Sequence, residues 1–297
     1  MPELPEVETI RRQLAPLVEG RRLTEIEILD PRWSRPLAPS ELEQALRGRR
    51  VERLGRRGKY LLWSFDGDVH LAQHLRMTGA VLSQPAPEQA HVRVRIELSR
   101  TRPARPQRLA IVDPRRFGTG ELLLGSQALD AFFAERLGLE PFDEGFTAEH
   151  LRGLAKGRTA PIKAFLLDQR RVAGVGNIYA DEALFRAGVH PRRPAGRLSG
   201  EQYERVREGV IAALSAGIDA RGASIDDFRH VDGVRGSFQD QFLVHLREGE
   251  PCGTCGASIT KMFVGGRGTY VCETCQPVFR QRGSRPAGRS RRRPGPR

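Results

Sequence analysis

The 297-residue chain has few lysines, only four cysteines and no long apolar run. No stretch approaches the roughly 18 consecutive apolar residues of a membrane-spanning helix, and the N-terminal segment lacks the apolar region of a secretory signal. The sequence therefore predicts a soluble, cytoplasmic protein that does not enter a membrane. Its length exceeds that of a typical single domain, so we expect two or more hydrophobic cores.

Lysine is scarce: Lys59, Lys156, Lys163 and Lys261 are the four among 49 basic residues. Where arginine is used almost throughout, a lysine indicates a position at which a planar guanidinium does not replace an ammonium. The formal net charge is +13, and residues 280–297 hold eight arginines and no acid. This balance predicts a polyanionic partner, most simply nucleic acid. The arginine-rich tail is predicted to be disordered. Its charge either contributes to binding the polyanion or merely keeps the protein soluble.

Apolar periodicity divides the chain into a strand-rich part and a helical part. Residues 1–16 have helical spacing, and residues 22–125 are mainly strand-like, with strict apolar–polar alternation from Val92 to Leu98. After a connector at 136–150 the pattern becomes helical. Ser199 followed three residues later by a glutamine predicts a capping box at the start of a helix. The pattern favours a two-sheet β domain followed by a helical domain.

The four cysteines form two pairs with the spacing C-x2-C-x16-C-x2-C: Cys252, Cys255, Cys272 and Cys275. This spacing is typical of a four-cysteine zinc site. Disulfides are the alternative, but a reducing cytosol disfavours them. Four thiolates leave the metal no open position, so the expected Zn²⁺ is structural. The sequence between the pairs is compatible with a hairpin that has Arg267 at its tip, either solvated or bound to a phosphate.

The N-terminal sequence begins Met1-Pro2-Glu3 and supports two interpretations. Removal of Met1 would leave Pro2 with a free secondary amine, whose pKa is about two units below that of a lysine. Attack of such an amine on a sugar carbon gives a cationic iminium, or Schiff base. Alternatively, Pro5 and Glu6 simply open a helix, where a proline and an acidic residue are both favourable.

The N-terminal sequence and several later segments together resemble the formamidopyrimidine-DNA glycosylases. In chain order these segments are residues 58–60, 74–79, 113–118, 174–180 and the two cysteine pairs. Each is short, but their joint order is specific and covers nearly the whole chain. One departure is His245: residues 244–246 read Val-His-Leu where the family commonly has Val-Tyr-Gly, within a segment (231–250) that resembles the loop covering a flipped base.

The resemblance implies an α+β multidomain fold. We expect an N-terminal two-sheet β-sandwich with flanking helices, a helical helix-two-turn-helix domain, and a zinc-ribbon finger. The expected boundaries are 1–135 for the catalytic domain, 136–150 for a hinge, 151–250 for the DNA-binding domain with its lesion-covering loop, 251–279 for the finger and 280–297 for the basic tail.

The resemblance also implies a bifunctional DNA glycosylase/AP lyase of base excision repair. It would remove oxidised purines (8-oxoguanine and formamidopyrimidines) from double-stranded DNA as a monomer, with one structural Zn²⁺ and neither a redox cofactor nor magnesium. Pro2 is the expected nucleophile at the sugar C1′, and Glu3 the general acid–base. Lys59 and Arg267 complete the implied catalytic set, each beside a phosphate. Solvated turn residues are the alternative for both.

Six further residues are implied to contact DNA: His91, Met77, Arg115, Phe117, Lys163 and Asn177. Met77, Arg115 and Phe117 would fill the gap left by the extruded base, with Arg115 hydrogen-bonded to the orphaned cytosine. Lys163 and Asn177 would hold backbone phosphates. From the residues alone, a lone methionine such as Met77 is more often a core residue, and a solvated helix position is the alternative for Lys163.

Two other functions compete with this one. An endonuclease VIII-type glycosylase acts on oxidised pyrimidines and shares the Pro-Glu start and the finger; Leu4 and the spacing of Arg115 and Phe117 favour the purine enzyme. A non-catalytic zinc-ribbon DNA-binding protein would keep the basic surfaces while Pro2 and Glu3 only cap a helix.

Overall fold

A computed structural model describes residues 2–100, 106–224, 231 and 236–278. Its N-terminal part is a sandwich of two antiparallel four-stranded sheets, which confirms the predicted β-sandwich. The sheet orders are β1-β6-β7-β5 and β2-β3-β4-β8. The strands are β1 (Leu23–Ile28), β2 (Val51–Arg57), β3 (Tyr60–Phe65), β4 (Val69–His74), β5 (Ala80–Ser83), β6 (Val92–Leu98), β7 (Gln107–Val112) and β8 (Thr119–Leu124).

The two faces of the second sheet are covered by different layers. Val69 and Leu71 of β4 point into the sandwich core, as the two-residue period of a strand requires. Ala72 points to the opposite face, where Phe132 and Phe133 of α3 (Ser126–Arg136) cover it. The whole of β4 is consequently buried. A short helix, α2 (Pro39–Leu46), flanks the first sheet beside β1.

The first helix, α1 (Leu4–Val18), starts at residue 4 rather than at residue 1. Glu3 is extended, and its backbone N–H donates to the Glu6 carboxylate at 2.8 Å, which sets the beginning of the helix. Val7 and Ile10 of α1 pack in the sandwich core, whereas Leu4 belongs to the core of the helical part. The N-terminus therefore lies where the two cores meet.

The helical part confirms the predicted change of architecture. Its helices are α4 (Ala148–Ala155), α5 (Ile162–Leu167), α6 (Asn177–Arg186) and α7 (Gly200–Asp219), with 3-10 turns at Ala195–Arg197 and Phe238–Gln241. The capping box at Ser199 is present: its hydroxyl accepts from the Gln202 N–H at 3.2 Å, and the Gln202 side chain accepts from the Ser199 N–H at 3.0 Å.

A hairpin follows, with β9 (Thr260–Val264) antiparallel to β10 (Arg267–Val271). Cys252, Cys272 and Tyr270 of this finger form a small core with Phe185 of α6. Of the predicted segments, Met1, residues 232–235 of the lesion-covering loop, residue 279 of the finger and the tail at 280–297 lie outside the described residues. Within the described ranges, no helix has the length and apolar character needed to cross a membrane.

Candidate functional site

The Glu3 carboxylate lies between the two parts of the molecule, at the N-terminus of α6. It accepts hydrogen bonds from the backbone N–H of Ile178 at 3.0 Å and of Tyr179 at 3.5 Å. A Cβ on Gly176 would come within 2.3 Å of the Glu3 carboxyl carbon, so only glycine permits this approach. The positive end of the α6 dipole favours an anion here. The predicted Gly-rich turn therefore holds a carboxylate of the chain itself.

Glu6 is a buried hydrogen-bond acceptor rather than a solvated partner of the helix dipole. Besides the Glu3 N–H, it accepts from the Tyr179 hydroxyl at 2.7 Å and from the Ala223 N–H at 2.8 Å. Burial raises the pKa of Glu6, and the nearby Glu3 charge raises it further, while these hydrogen bonds act in the opposite direction. Glu6 thus links α1 to Tyr179 of α6 and to Ala223 in the segment that follows α7. Sequence reasoning missed the bond between Glu6 and Tyr179, because 173 residues separate the pair.

Lys59 is buried beside this carboxylate pair, on the turn between β2 and β3. Burial lowers the pKa of Lys59, and Arg267 lowers it further, whereas Glu3 and Glu6 oppose the change. The four predicted catalytic residues come from three segments that are far apart in sequence. Of these residues, Glu3 and Arg267 both lie close enough to Lys59 to shift its pKa.

The Lys59 turn is fixed by a carboxylate from the connector between the two parts. Glu140 accepts from the Gly58 N–H and from the Arg56 guanidinium. Arg56 also forms an ion pair with Glu8 of α1 at 3.2 Å. Gly58 has φ +56, which favours glycine. This network was not predicted, because Glu140 lies 82 residues from Gly58.

The hairpin that carries Arg267 is held against the helical part by two polar side chains. The Asn177 amide donates to the Gly268 carbonyl at 3.0 Å. The Lys163 ammonium donates to the same carbonyl at 3.0 Å and to the Thr269 hydroxyl at 2.8 Å. Arg267, which directly precedes Gly268, is exposed. Asn177 and Lys163 therefore position the finger relative to α6.

Lys163 is not the solvated helix lysine that one interpretation expected. Its side chain is fully buried and forms an ion pair with Asp181 at 2.7 Å, and Asp181 also pairs with His245 at 2.8 Å. Three protein acceptors surround the ammonium and account for its three donors, so the phosphate contact predicted for Lys163 would require one of these bonds to break. His245, which stands where the family commonly has a tyrosine, is thus part of this buried network.

The three side chains expected to fill the gap in DNA lie on two loops that share one anchor. Met77 is 38 % exposed and Phe117 is 50 % exposed, and the Arg115 guanidinium lies 4.9 Å from the Phe117 ring centroid. Asp113 joins the loops: its carboxylate accepts from the Thr78 hydroxyl and, at 2.7 Å each, from the N–H groups of Phe117 and Gly118. The core alternative for Met77 is therefore excluded.

His91 and His74 lie at the edges of this region. The exposed His91 has φ +61, and its carbonyl accepts from the Asp113 N–H at 3.0 Å, which places His91 beside the Phe117 loop. His74, which carried no predicted role, accepts from the Arg76 N–H at 2.9 Å. Burial lowers the pKa of His74 to about 3, with Arg76 and Lys59 contributing, so its ring is neutral at physiological pH. Its position three residues before Met77, within one of the motif segments, was the feature of the sequence that could have indicated a role for His74.

The four cysteine sulfurs fit a single structural Zn²⁺. All four lie within 4.8 Å of one another, with 3.9 Å between Cys252 and Cys275 and 3.4 Å between Cys255 and Cys272. A tetrahedral site with Zn–S bonds of about 2.3 Å requires sulfurs roughly 3.8 Å apart. A disulfide requires about 2.05 Å, so the alternative of two disulfides does not fit. The ion would stabilise the finger, which has only a small core of its own.

Comparisons with known proteins agree with this geometry. Family models match three consecutive regions: the formamidopyrimidine-DNA glycosylase N-terminal domain matches residues 1–120, the formamidopyrimidine-DNA glycosylase H2TH domain residues 137–229, and the zinc finger found in FPG and IleRS residues 249–278. A formamidopyrimidine-DNA glycosylase of Roseiflexus sp. (strain RS-1) is 42% identical over 283 residues, covering 93% of this chain and 100% of the relative.

Solved structures agree as well. The MutM (Fpg) protein of Thermus thermophilus superposes with a TM-score of 0.82 at 40% identity, covering 93% of this chain and 98% of that one. Lactococcus lactis Fpg has been solved with DNA containing an abasic site, an oxidised pyrimidine or N7-benzyl-Fapy-dG. Each of these structures superposes with a TM-score of 0.85 at 35% identity, covering 93% of this chain and 100% of that one.

Proposed function

The chain belongs to the formamidopyrimidine-DNA glycosylase family, and we propose that it is a bifunctional DNA glycosylase/AP lyase of base excision repair. Its substrate is double-stranded DNA that contains an oxidised purine, and it acts as a cytoplasmic monomer with one structural Zn²⁺. Residues 1–135 form the catalytic domain, 136–150 a hinge, 151–250 the DNA-binding domain and 251–279 the finger.

One observation carries the proposal: Lys59 is buried within electrostatic reach of both Glu3 and Arg267, and Glu3 precedes Leu4 at the junction of the two cores. A helix cap alone requires neither a buried cation beside its carboxylate nor a second cation near the first. A phosphodiester bound at that junction would supply their counter-charge. This arrangement favours the enzyme over the non-catalytic DNA-binding protein.

The proposed reaction begins once removal of Met1 has freed the Pro2 nitrogen. That nitrogen bonds to C1′ as the C1′–base bond breaks, and the base leaves with the bonding electrons and takes up a proton from water. Glu3 accepts the proton of the Pro2 nitrogen and passes it to the ring oxygen, so the C1′–O4′ bond breaks, the sugar ring opens and an iminium forms. The iminium acidifies the C2′ hydrogens, and loss of a proton there expels the 3′ phosphate. A second elimination expels the 5′ phosphate, and hydrolysis of the imine releases the enzyme.

Lys59 and Arg267 act on the phosphates in this proposal. As each phosphate leaves, negative charge develops on its oxygens, and a cation held beside it stabilises that charge. The lysine turn is tied to Glu140, and the arginine hairpin is tied to Lys163, so both cations are positioned before DNA binds. Met77, Arg115 and Phe117 fill the gap in the duplex, while His91 and Asn177 contact its backbone.

The test is excision from duplexes carrying 8-oxoguanine, a formamidopyrimidine or thymine glycol. The proposal predicts fastest removal of the oxidised purines and product ends that bear phosphate on both sides of a one-nucleotide gap. Preference for thymine glycol would indicate the endonuclease VIII-type enzyme, the second candidate. Retarded migration of DNA without cleavage of any substrate would indicate a binding protein.

A further inference from the structure

Arg116 lies between the two exposed side chains of the DNA-facing loop, yet its guanidinium is bound to the protein. It donates from Nε to Asp30 Oδ2 at 2.5 Å and from Nη2 to Oδ1 at 3.0 Å. Arg115, by contrast, contacts only the adjacent Phe117 ring through its guanidinium among the described contacts. Consecutive arginines in this loop therefore have different surroundings.

Asp30 is built into the sandwich as a fixed acceptor. Its side chain is 4 % exposed, and its other cation, Arg32, is 3.4 Å away. The Asp30 carbonyl accepts from the Trp33 N–H at 2.9 Å, and the Trp33 carbonyl accepts from the Gly120 N–H at 2.8 Å. The Trp33 ring fills the space where a side chain on Gly120 would lie. The bidentate partner of Arg116 is thus rigidly placed at the base of β8.

The backbone at Arg116 needs such a restraint. Its φ of +61 lies in the left-handed region, which is unfavourable for a residue with a side chain. Asp113 holds the backbone on both sides: its carboxylate accepts from the N–H groups of Arg115 and Phe117, and its carbonyl accepts from the Arg116 N–H at 3.3 Å. The Arg116 side chain, however, is held only by Asp30 among the described contacts. Loss of that bond removes the side-chain restraint on the left-handed φ, and a shift of residue 116 would redirect the side chains on either side.

We propose that Arg116, through its bidentate ion pair with Asp30, is a positioning residue for recognition of the base opposite the lesion. This inference rests on the proposed function, in which Arg115 reads the orphaned base and Phe117 wedges into the stack. The ion pair fixes the direction of both side chains, and the resulting geometry distinguishes cytosine from adenine. Pro2 belongs to the segment at the junction of the two cores, outside this loop, so the chemistry at its nitrogen does not depend on the pair.

The experiment measures single-turnover excision of 8-oxoguanine opposite cytosine and opposite adenine. Arg116→Met is expected to lower the cytosine-to-adenine rate ratio by about tenfold, since misplacement by about 1 Å can cost about 100-fold in rate. Borohydride trapping on a single-stranded abasic oligonucleotide, which has no opposite base, is expected to match the wild type within about twofold. Arg116→Lys, which keeps the charge but not the bidentate geometry, is expected to restore part of the ratio.

A matched control is Arg108→Met, which removes an exposed arginine from β7 and its ion pair with Glu97 at 3.1 Å. The ratio should be unchanged in this variant. Asp30→Asn tests the partner independently, should Arg116→Met fold poorly. It is expected to reproduce the loss, and the double variant should be no worse than either single variant.

An unchanged cytosine-to-adenine ratio in both Arg116→Met and Asp30→Asn would overturn the inference. A second result would also overturn it: the ratio falls in Arg116→Met but not in Asp30→Asn, and the slope of log K for DNA binding against log salt concentration decreases by about one in Arg116→Met. That result would identify a direct contact between Arg116 and a phosphate. Absence of any borohydride adduct with the wild type refutes the proposed function instead, so the two failures are distinguishable.

Discussion

Glu3 and Glu6 are one helical turn apart, yet their surroundings assign them different tasks. Glu3 accepts from backbone N–H groups at the start of α6, where the helix dipole stabilises a negative charge. Glu6 is enclosed, and burial raises its pKa. The Tyr179 hydroxyl is the one side-chain donor to Glu6 among the described contacts, so it supports the charged form.

We expect Tyr179→Phe to lower the free energy of unfolding by about 1.5–3 kcal/mol at neutral pH, because it removes a hydrogen bond to a charged acceptor. Since the raised pKa of Glu6 means that its proton binds at a higher pH than usual, the loss should shrink as the pH falls through that value. Tyr203→Phe is the control: it removes a bond to the Ala195 carbonyl and should cost about 0.5–1.5 kcal/mol at every pH. Urea unfolding at several pH values measures both; equal, pH-independent losses would contradict this account of Glu6.

The lowered pKa of Lys59 predicts a pH dependence of the reaction. The ammonium is present below this pKa and is lost as the pH rises through it, earlier than for an ordinary lysine. We therefore expect kcat/KM to fall on the alkaline side, because a neutral amine does not stabilise a leaving phosphate. In Lys59→Arg the alkaline limb should move beyond the accessible range, even if the maximal rate is lower. An alkaline limb unchanged by this substitution would assign the titration to another group.

At the scale of elements, local patterns were sufficient for most of the fold. The alternation along β6 and the Ser199–Gln202 capping box appear as predicted, because each depends on neighbours within a few residues. The helix begins at Leu4, later than predicted, because the bond from the Glu3 N–H to the Glu6 carboxylate makes the extended Glu3 the cap. The motifs also located Glu3, Lys59 and the cysteines.

Contacts between distant segments were not predictable: Lys163 reaches Thr269 across 106 residues, and Arg116 reaches Asp30 across 86.

The burial of Lys163 leads to a prediction about how α5, α6 and the hairpin hold together. Lys163→Met leaves Asp181 buried without its ammonium partner, and we expect a loss of about 3–5 kcal/mol in the free energy of unfolding of the helical part. Lys156→Met removes an exposed lysine from the same region and should change stability by less than about 0.5 kcal/mol. Thermal unfolding compares the two. Equal stability of both variants would contradict a bracing role for Lys163.

At the scale of the whole molecule, each of the two cores contains residues from the other part of the chain. Leu4 packs in the helical core, and Val231, from the C-terminal part, packs in the sandwich core. Val231 is held there by hydrogen bonds with Gln13 at 3.2 Å and Ser83 at 3.0 Å. These crossings fix the placement of the Glu3 carboxylate relative to the two loops that carry Met77 and Phe117. The finger, by contrast, has a separate small core.

This separation predicts the effect of zinc loss. Cys252→Ser should unfold the finger and weaken duplex binding, with a salt dependence reduced by about 0.9 for the lost Arg267 phosphate contact. Both tryptophans, Trp33 and Trp63, lie in the sandwich core, so their fluorescence should not change. Thr254→Ser, between two of the ligands, is the control and should bind like the wild type. Wild-type affinity in Cys252→Ser would contradict the role given to the zinc.

The account depends most on a bond between the Pro2 nitrogen and the deoxyribose C1′. The direct measurement is peptide mass spectrometry of the adduct that borohydride traps on 8-oxoguanine duplex, made with protein whose N-terminus has been verified to start at Pro2. The account predicts that the sugar remnant is attached to the N-terminal peptide, at the proline nitrogen. A remnant attached to Lys59 or another lysine, or equal excision by protein with that nitrogen acetylated, would contradict it.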